Sequence, residues 1–127
     1  MQDKPSAEIL IAAVAEFLRC TVLPEATGRM AYDLRVAINA LDVSAREVAE
    51  AKPQESSEHT RLCGLLDTDG PLEVLNREFC TRLRDGTLTL DTHGVADHLW
   101  RTTLGKLAID QPNYAAYRAE ISAPSHK

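Results

Sequence analysis

Apolar residues recur at three- and four-residue steps along most of this chain, and the clearest run lies between Arg29 and Lys52. Met30, Leu34, Ala37, Ile38, Leu41, Ala45 and Val48 fall on one stripe of a 3.6-residue period. Asp33, Arg35, Asp42, Arg46 and Glu50 fall mainly outside it. Gly28 and Pro53 bracket the run, which predicts one long helix over about 27–51, roughly 35 Å at 1.5 Å per residue. Glu25 with Arg29, Asp42 with Arg46 and Arg46 with Glu50 stand four apart, where opposite charges support a helix by only about 0.2–0.5 kcal/mol per pair. Packing of the stripe must therefore supply most of the helix's stability.

The same reading divides the rest of the chain. A first helix begins near Pro5 or Ser6, shows Leu10, Val14, Phe17 and Leu18, and ends before Pro24. Ile9 and Ile11 widen its apolar face, so it is expected to be well buried. Pro53 to Ser57 reads as a polar connection, and Ser57 as the cap of a short helix carrying Leu62, Leu65 and Leu66. Pro71 opens a further helix with Leu72, Leu75, Phe79 and Leu83, which Gly86 stops. Thr87 to Leu90 alternates without a partner strand and reads as a packed loop. Asp91 or Thr92 caps a last long helix whose inner face is Val95, Ala96, Leu99, Trp100, Thr103, Leu104 and Leu107, and Pro112 ends it. Tyr114 and Tyr117 are expected to pack back on the helices, and residues 119–127 to form a flexible tail. The predicted class is all-α: residues 1–127 as a single-domain antiparallel bundle of about five helices.

Composition narrows the function classes. A chain of 127 residues with 44% hydrophobic and 26% charged residues is ordinary for one globular domain with a real core. The net charge of −5 is spread along the chain. Arg77, Arg82 and Arg84 are interrupted by Glu78, with Glu73 and Asp85 at the flanks, so no basic patch of the kind that binds nucleic acid is expected. No secretion signal or membrane span is read, which implies a cytoplasmic protein. Cys20, Cys63 and Cys80 lack a CxxC spacing and read as small buried hydrophobes, with Cys80 bordering the core.

Candidate chemistry is sparse. His93 and His98 are five apart and diverge on a helix; they, with His59 and His126, read as surface or helix-end residues. Glu8, Glu16, Glu47 and Glu50 read as exposed charges, since no Glu-x-x-His occurs. Neither Ser44 nor Ser57 lies in a nucleophile-elbow context, and the six glycines form no phosphate loop. No catalytic residue, metal or cofactor is therefore expected. Asn39 and Asn76, beside Ile38 and Leu75, must find partners if buried, because an unpaired buried amide costs about 1–3 kcal/mol. They either join helices or line a small pocket with Arg35.

Three blocks, Ala13 to Leu18, Arg35 to Leu41 and Lys106 to Tyr114, together with Leu75 to Glu78, resemble a bacterial family of short helical proteins, domain of unknown function 6285. The resemblance covers nearly the whole chain. It implies an accessory role beside aminoglycoside-phosphotransferase-like kinases or near acyl-CoA dehydrogenases, in acyl or amino-acid catabolism. The polar positions to follow are Arg35, Asn39, Asn76, Lys106, Asn113 and Tyr114. Gln111 stands where the family pattern often has Asn before Pro112. The function expected is a non-catalytic helical accessory module that binds a partner enzyme, phosphotransferase-like or acyl-CoA-handling. The alternative is a small-ligand binder or minor enzyme, with a pocket between the long helix and the C-terminal segment built on Arg35, Asn39 and Lys106. A third option is self-association as a homodimer through an apolar helix face.

Overall fold

A computed structural model describes residues 4–123. The order is α1 (Ala7–Phe17), α2 (Gly28–Leu66), α3 (Leu72–Arg84), α4 (Val95–Asp110) and α5 (Ala115–Ser122), with no strand among the described residues. The class is all-α with one long helix, as the periodicity predicts. No helix among the described residues is long and apolar enough to cross a membrane.

Several boundaries differ from the sequence reading. The long helix does not stop near residue 51 but continues through Pro53 to Leu66, absorbing the predicted third helix. Proline forfeits one i→i−4 hydrogen bond. The residues after it are helix formers or tolerant surface positions, so the helix resumes. The first helix ends at Phe17, followed by a π turn over Leu18–Val22 and a 3₁₀ turn over Leu23–Glu25. In the π turn the Leu23 N–H donates to the Leu18 carbonyl, and the 3₁₀ turn that follows holds Pro24. Gly94, at φ 87°, rather than Asp91 or Thr92, precedes α4; Thr92 instead accepts from the Thr89 N–H through its hydroxyl. Gly86 ends α3 at φ 80°, as predicted. Residues 115–122 form α5 where the sequence suggests packed tyrosines and then a tail. The end of that tail, with His126, lies outside the described residues.

The chain gathers into two compact units, Met1–Ala51 and Lys52–Lys127. The second unit holds a core cluster: Leu62, Leu66, Leu75, Phe79, Leu88 and Val95, with Cys63, Leu65, Leu72, Leu83 and Leu99 packed against it. Burying each Leu- or Phe-sized side chain stabilises by about 2 kcal/mol gross. Leu88 of the Thr87–Leu90 loop enters the core, while Thr87, Thr89 and Leu90 are exposed, so the segment packs through that one side chain. The inner face of α4 holds in part: Val95 is buried and Leu99 packs against the core as predicted, but His98 is buried with them and Ala96, Trp100 and Thr103 are exposed. His98, expected at the surface, is 2% exposed and meets Phe79 edge-on at 4.8 Å.

The first unit is a hairpin of α1 and the N-terminal part of α2. Its buried residues are small or few: Ala15, Ala31 and Ile38. The expectation of a well-buried first helix does not hold. Leu10, Val14 and Phe17 are 53%, 49% and 56% exposed. Two helices lie against each other along one stripe each, so a second apolar stripe on the same helix has nothing to meet.

Candidate functional site

The hairpin is antiparallel. Arg19, just past α1, reaches Asp42 at 2.6 Å and Glu16 at 2.8 Å, while Glu8 and Ala12 line a hollow with Ala45, Arg46, Ala49 and Glu50. Arg29 pairs with Asp33 rather than with Glu25, and Asp42 takes Arg19 as a partner. These charged contacts occupy one broad side. Turning the other way around each helix axis, about 100° per residue, reaches Ala7, Leu10, Val14 and Phe17 on α1. The same turn on α2 reaches Met30, Leu34, Ala37, Leu41, Ser44 and Val48. The sense of rotation is opposite in two antiparallel right-handed helices, so both stripes open on the same side. None of the ten positions carries a charge. The one polar member, Ser44, donates its hydroxyl to the Ala40 carbonyl at 2.8 Å, so burial would strand no donor. Steps of three, four and three on α1, and of four, three, four, three and four on α2, are the seam of a helical bundle.

A cleft of about 200 Å³ lies within the second unit. It is lined from α2 by Pro53, Gln54, Ser57, Glu58 and Arg61, and from α4 by Arg101, Thr102, Gly105 and Lys106. The two helices approach where α4 has a glycine: a Cβ on Gly105 would stand 2.9 Å from Gln54 Oε1. Arg61 reaches His98 Nδ1 and Thr102 Oγ1, both at 3.4 Å, and Arg101 pairs with Asp97 at 2.8 Å. Lys106 has no hydrogen-bond or ion-pair partner among the described residues.

Of the predicted polar positions, Lys106 lines this cleft, and Asn76 adjoins it by donating to Glu58 Oε1 at 2.8 Å, a bond that joins α3 to α2. Arg35 and Asn39 belong to the first unit, exposed and without such partners among the described residues. Asn39 therefore neither bridges helices nor lines this cleft. Asn113 and Tyr114, exposed before α5, are not among the cleft's lining residues; the Tyr114 N–H donates to the Gln111 carbonyl.

The cysteines also depart from expectation. Cys20 and Cys80 are exposed, and Cys63 is only half-buried. Cys63 faces His59, four residues earlier on α2, and Asp69 from the following loop. A search for paired histidines passes over this group, although His59 and Cys63 show the i, i+4 spacing that puts two ligands on one helix face. Burial and the neighbouring Asp69 carboxylate push the Cys63 thiol above its ordinary range. An activated nucleophile has the opposite shift.

A family model described as domain of unknown function (DUF6285) matches residues 24–114. No curated protein and no solved structure matches the chain.

Proposed function

The chain belongs to this domain-of-unknown-function family, whose description assigns no activity, and we propose that it is a non-catalytic accessory module that works by helix docking. Its docking surface is the uncharged side of the N-terminal hairpin, and the occupant is the same side of a second copy. The observation that carries this reading is the charge-free pair of stripes, exposed at Leu10, Val14, Phe17, Met30 and Val48. A two-helix layer completes a bundle core when another two-helix layer covers it. A second copy supplies one with matching spacing, and an isologous pairing needs no opposite charge to select it. The face runs roughly 27 Å along α2 and about 20 Å across, so a pair would bury on the order of 1,000 Å², the threshold for a specific interface.

Light scattering across a concentration series tests this. The wild type is expected at twice the 14.0 kDa chain mass, and Phe17→Asp with Met30→Asp at the single-chain mass with unchanged helicity. Both side chains are exposed in the single chain, so a charge there burdens the interface rather than the fold. A wild type that stays at the single-chain mass contradicts the second copy as occupant. The face then passes to a hetero partner, for which the family resemblance suggests a phosphotransferase-like kinase or acyl-CoA-handling enzyme.

Lys106, without a side-chain partner among the described residues and lining the cleft with Arg61 and Arg101, supports a second reading, an anionic ligand in the cleft. Inorganic phosphate or a CoA thioester at about 100 times its dissociation constant would add about 2.7 kcal/mol of stability, and Lys106→Glu would abolish the gain. No thermal shift with either compound contradicts it.

A further inference from the structure

We propose that His59, Cys63 and Asp69 form a binding site for a zinc-class divalent cation at the C-terminal end of α2. Helical spacing places the imidazole and the thiol one turn apart. After Leu66 the chain turns through Asp67, which takes a left-handed φ of 52°, and returns Asp69 to the end of the helix. The Gly70 N–H donates to Asp69 Oδ1 at 2.8 Å and holds the carboxylate in place.

The three donor atoms then converge. His59 Nε2 is 3.3 Å from Asp69 Oδ1, Cys63 Sγ is 3.5 Å from the same oxygen, and Sγ is 3.8 Å from Nε2. Ligands at about 2.0–2.3 Å from a tetrahedral zinc stand about 3.4–3.6 Å apart. The sulfur lies 3.7 Å from Nδ1 as well, so the half-buried ring must swing about its Cβ–Cγ bond to aim one nitrogen at a shared ion. The Asp69 side chain is 87% exposed, leaving an entry path and room for water to complete the coordination. Imidazole with thiolate selects zinc and its neighbours over magnesium or calcium, and the negative end of the α2 dipole favours a cation there.

Without an ion the same atoms have ordinary partners. The thiol donates to Asp69, and the ring N–H donates to the Gly70 carbonyl at 3.0 Å. Ion binding would displace the thiol proton, while the neutral ring keeps its own proton on the nitrogen that does not face the ion, so binding should release a proton and weaken as pH falls.

The test uses the full chain, stripped with a chelator and titrated with cobalt(II). One ion per chain is expected, with visible tetrahedral bands and a near-ultraviolet sulfur-to-cobalt charge-transfer band. Cys63→Ser should abolish the sulfur band although Cys20 and Cys80 remain. Asp69→Asn, on an exposed loop, should weaken binding by roughly tenfold or more while the circular-dichroism melt of the ion-free protein stays unchanged; loss of a mere supporting partner already costs that much. A sulfur band that survives in Cys63→Ser, or cobalt spectra showing only the hydrated ion in wild type, overturns the proposal.

Discussion

His98 is a base held where a proton is unwelcome. Burial lowers its pKa first, and the Arg61 guanidinium beside Nδ1 lowers it further. The folded state therefore prefers the neutral ring, and this contribution is complete above the unfolded-state value near 6.5. It is lost as pH falls below that value, because the unfolded chain takes up the proton first. Melting temperature should drop between about pH 7 and pH 5 in wild type, and the drop should flatten in His98→Phe. Equal slopes in the two proteins would contradict the assignment. Gly94 gives a second check at this scale. At φ 87°, and with a Cβ placed 3.1 Å from Leu65 Cδ2, Gly94→Ala should cost about 1–2 kcal/mol in urea denaturation. Neither residue's environment was legible in the sequence. A lone histidine on an apolar helix face has the same letter whether it meets solvent or Phe79, and the Cys63 group depends on where a loop returns Asp69.

At the level of elements, periodicity located α1, α3 and α4 and the glycine stop after α3, because spacing and turn chemistry are written locally. It failed at Pro53, where local rules say stop. A proline inside a helix costs about 3 kcal/mol relative to alanine, yet α2 continues to Leu66 because Leu62 and Leu66 enter the core cluster. Pro53→Ala should then stabilise the protein by about 1–3 kcal/mol by restoring one backbone hydrogen bond, as chemical denaturation would show. A loss of stability would mean instead that the proline has a positioning role at the cleft it lines. Sequence also misjudged which stripe of α1 is covered. It saw Leu10, Val14 and Phe17 as core, when the small residue Ala15 is the one fully buried against α2. Both stripes are apolar, and amphipathicity alone does not say which one a neighbour occupies.

For the molecule as a whole, the two units differ in how they hold themselves together. Lys52–Lys127 has an aliphatic core with an aromatic centre, while Met1–Ala51 presents much of its apolar surface to solvent. The candidate cleft was half legible: Lys106 was singled out, and Glu58, Arg61 and Arg101, which surround it, were not. Their grouping arises only when α2 continues past Pro53 and lies beside α4. The central claim concerns the hairpin, and the most direct measurement is isotope-filtered NMR on a mixture of labelled and unlabelled chains. Cross-copy nuclear Overhauser effects are predicted among the methyls of Leu10, Val14, Leu41 and Val48 and the ring of Phe17. Their absence at millimolar protein, or cross-copy signals arising instead from Tyr32 and Val36 on another side of α2, would contradict the account.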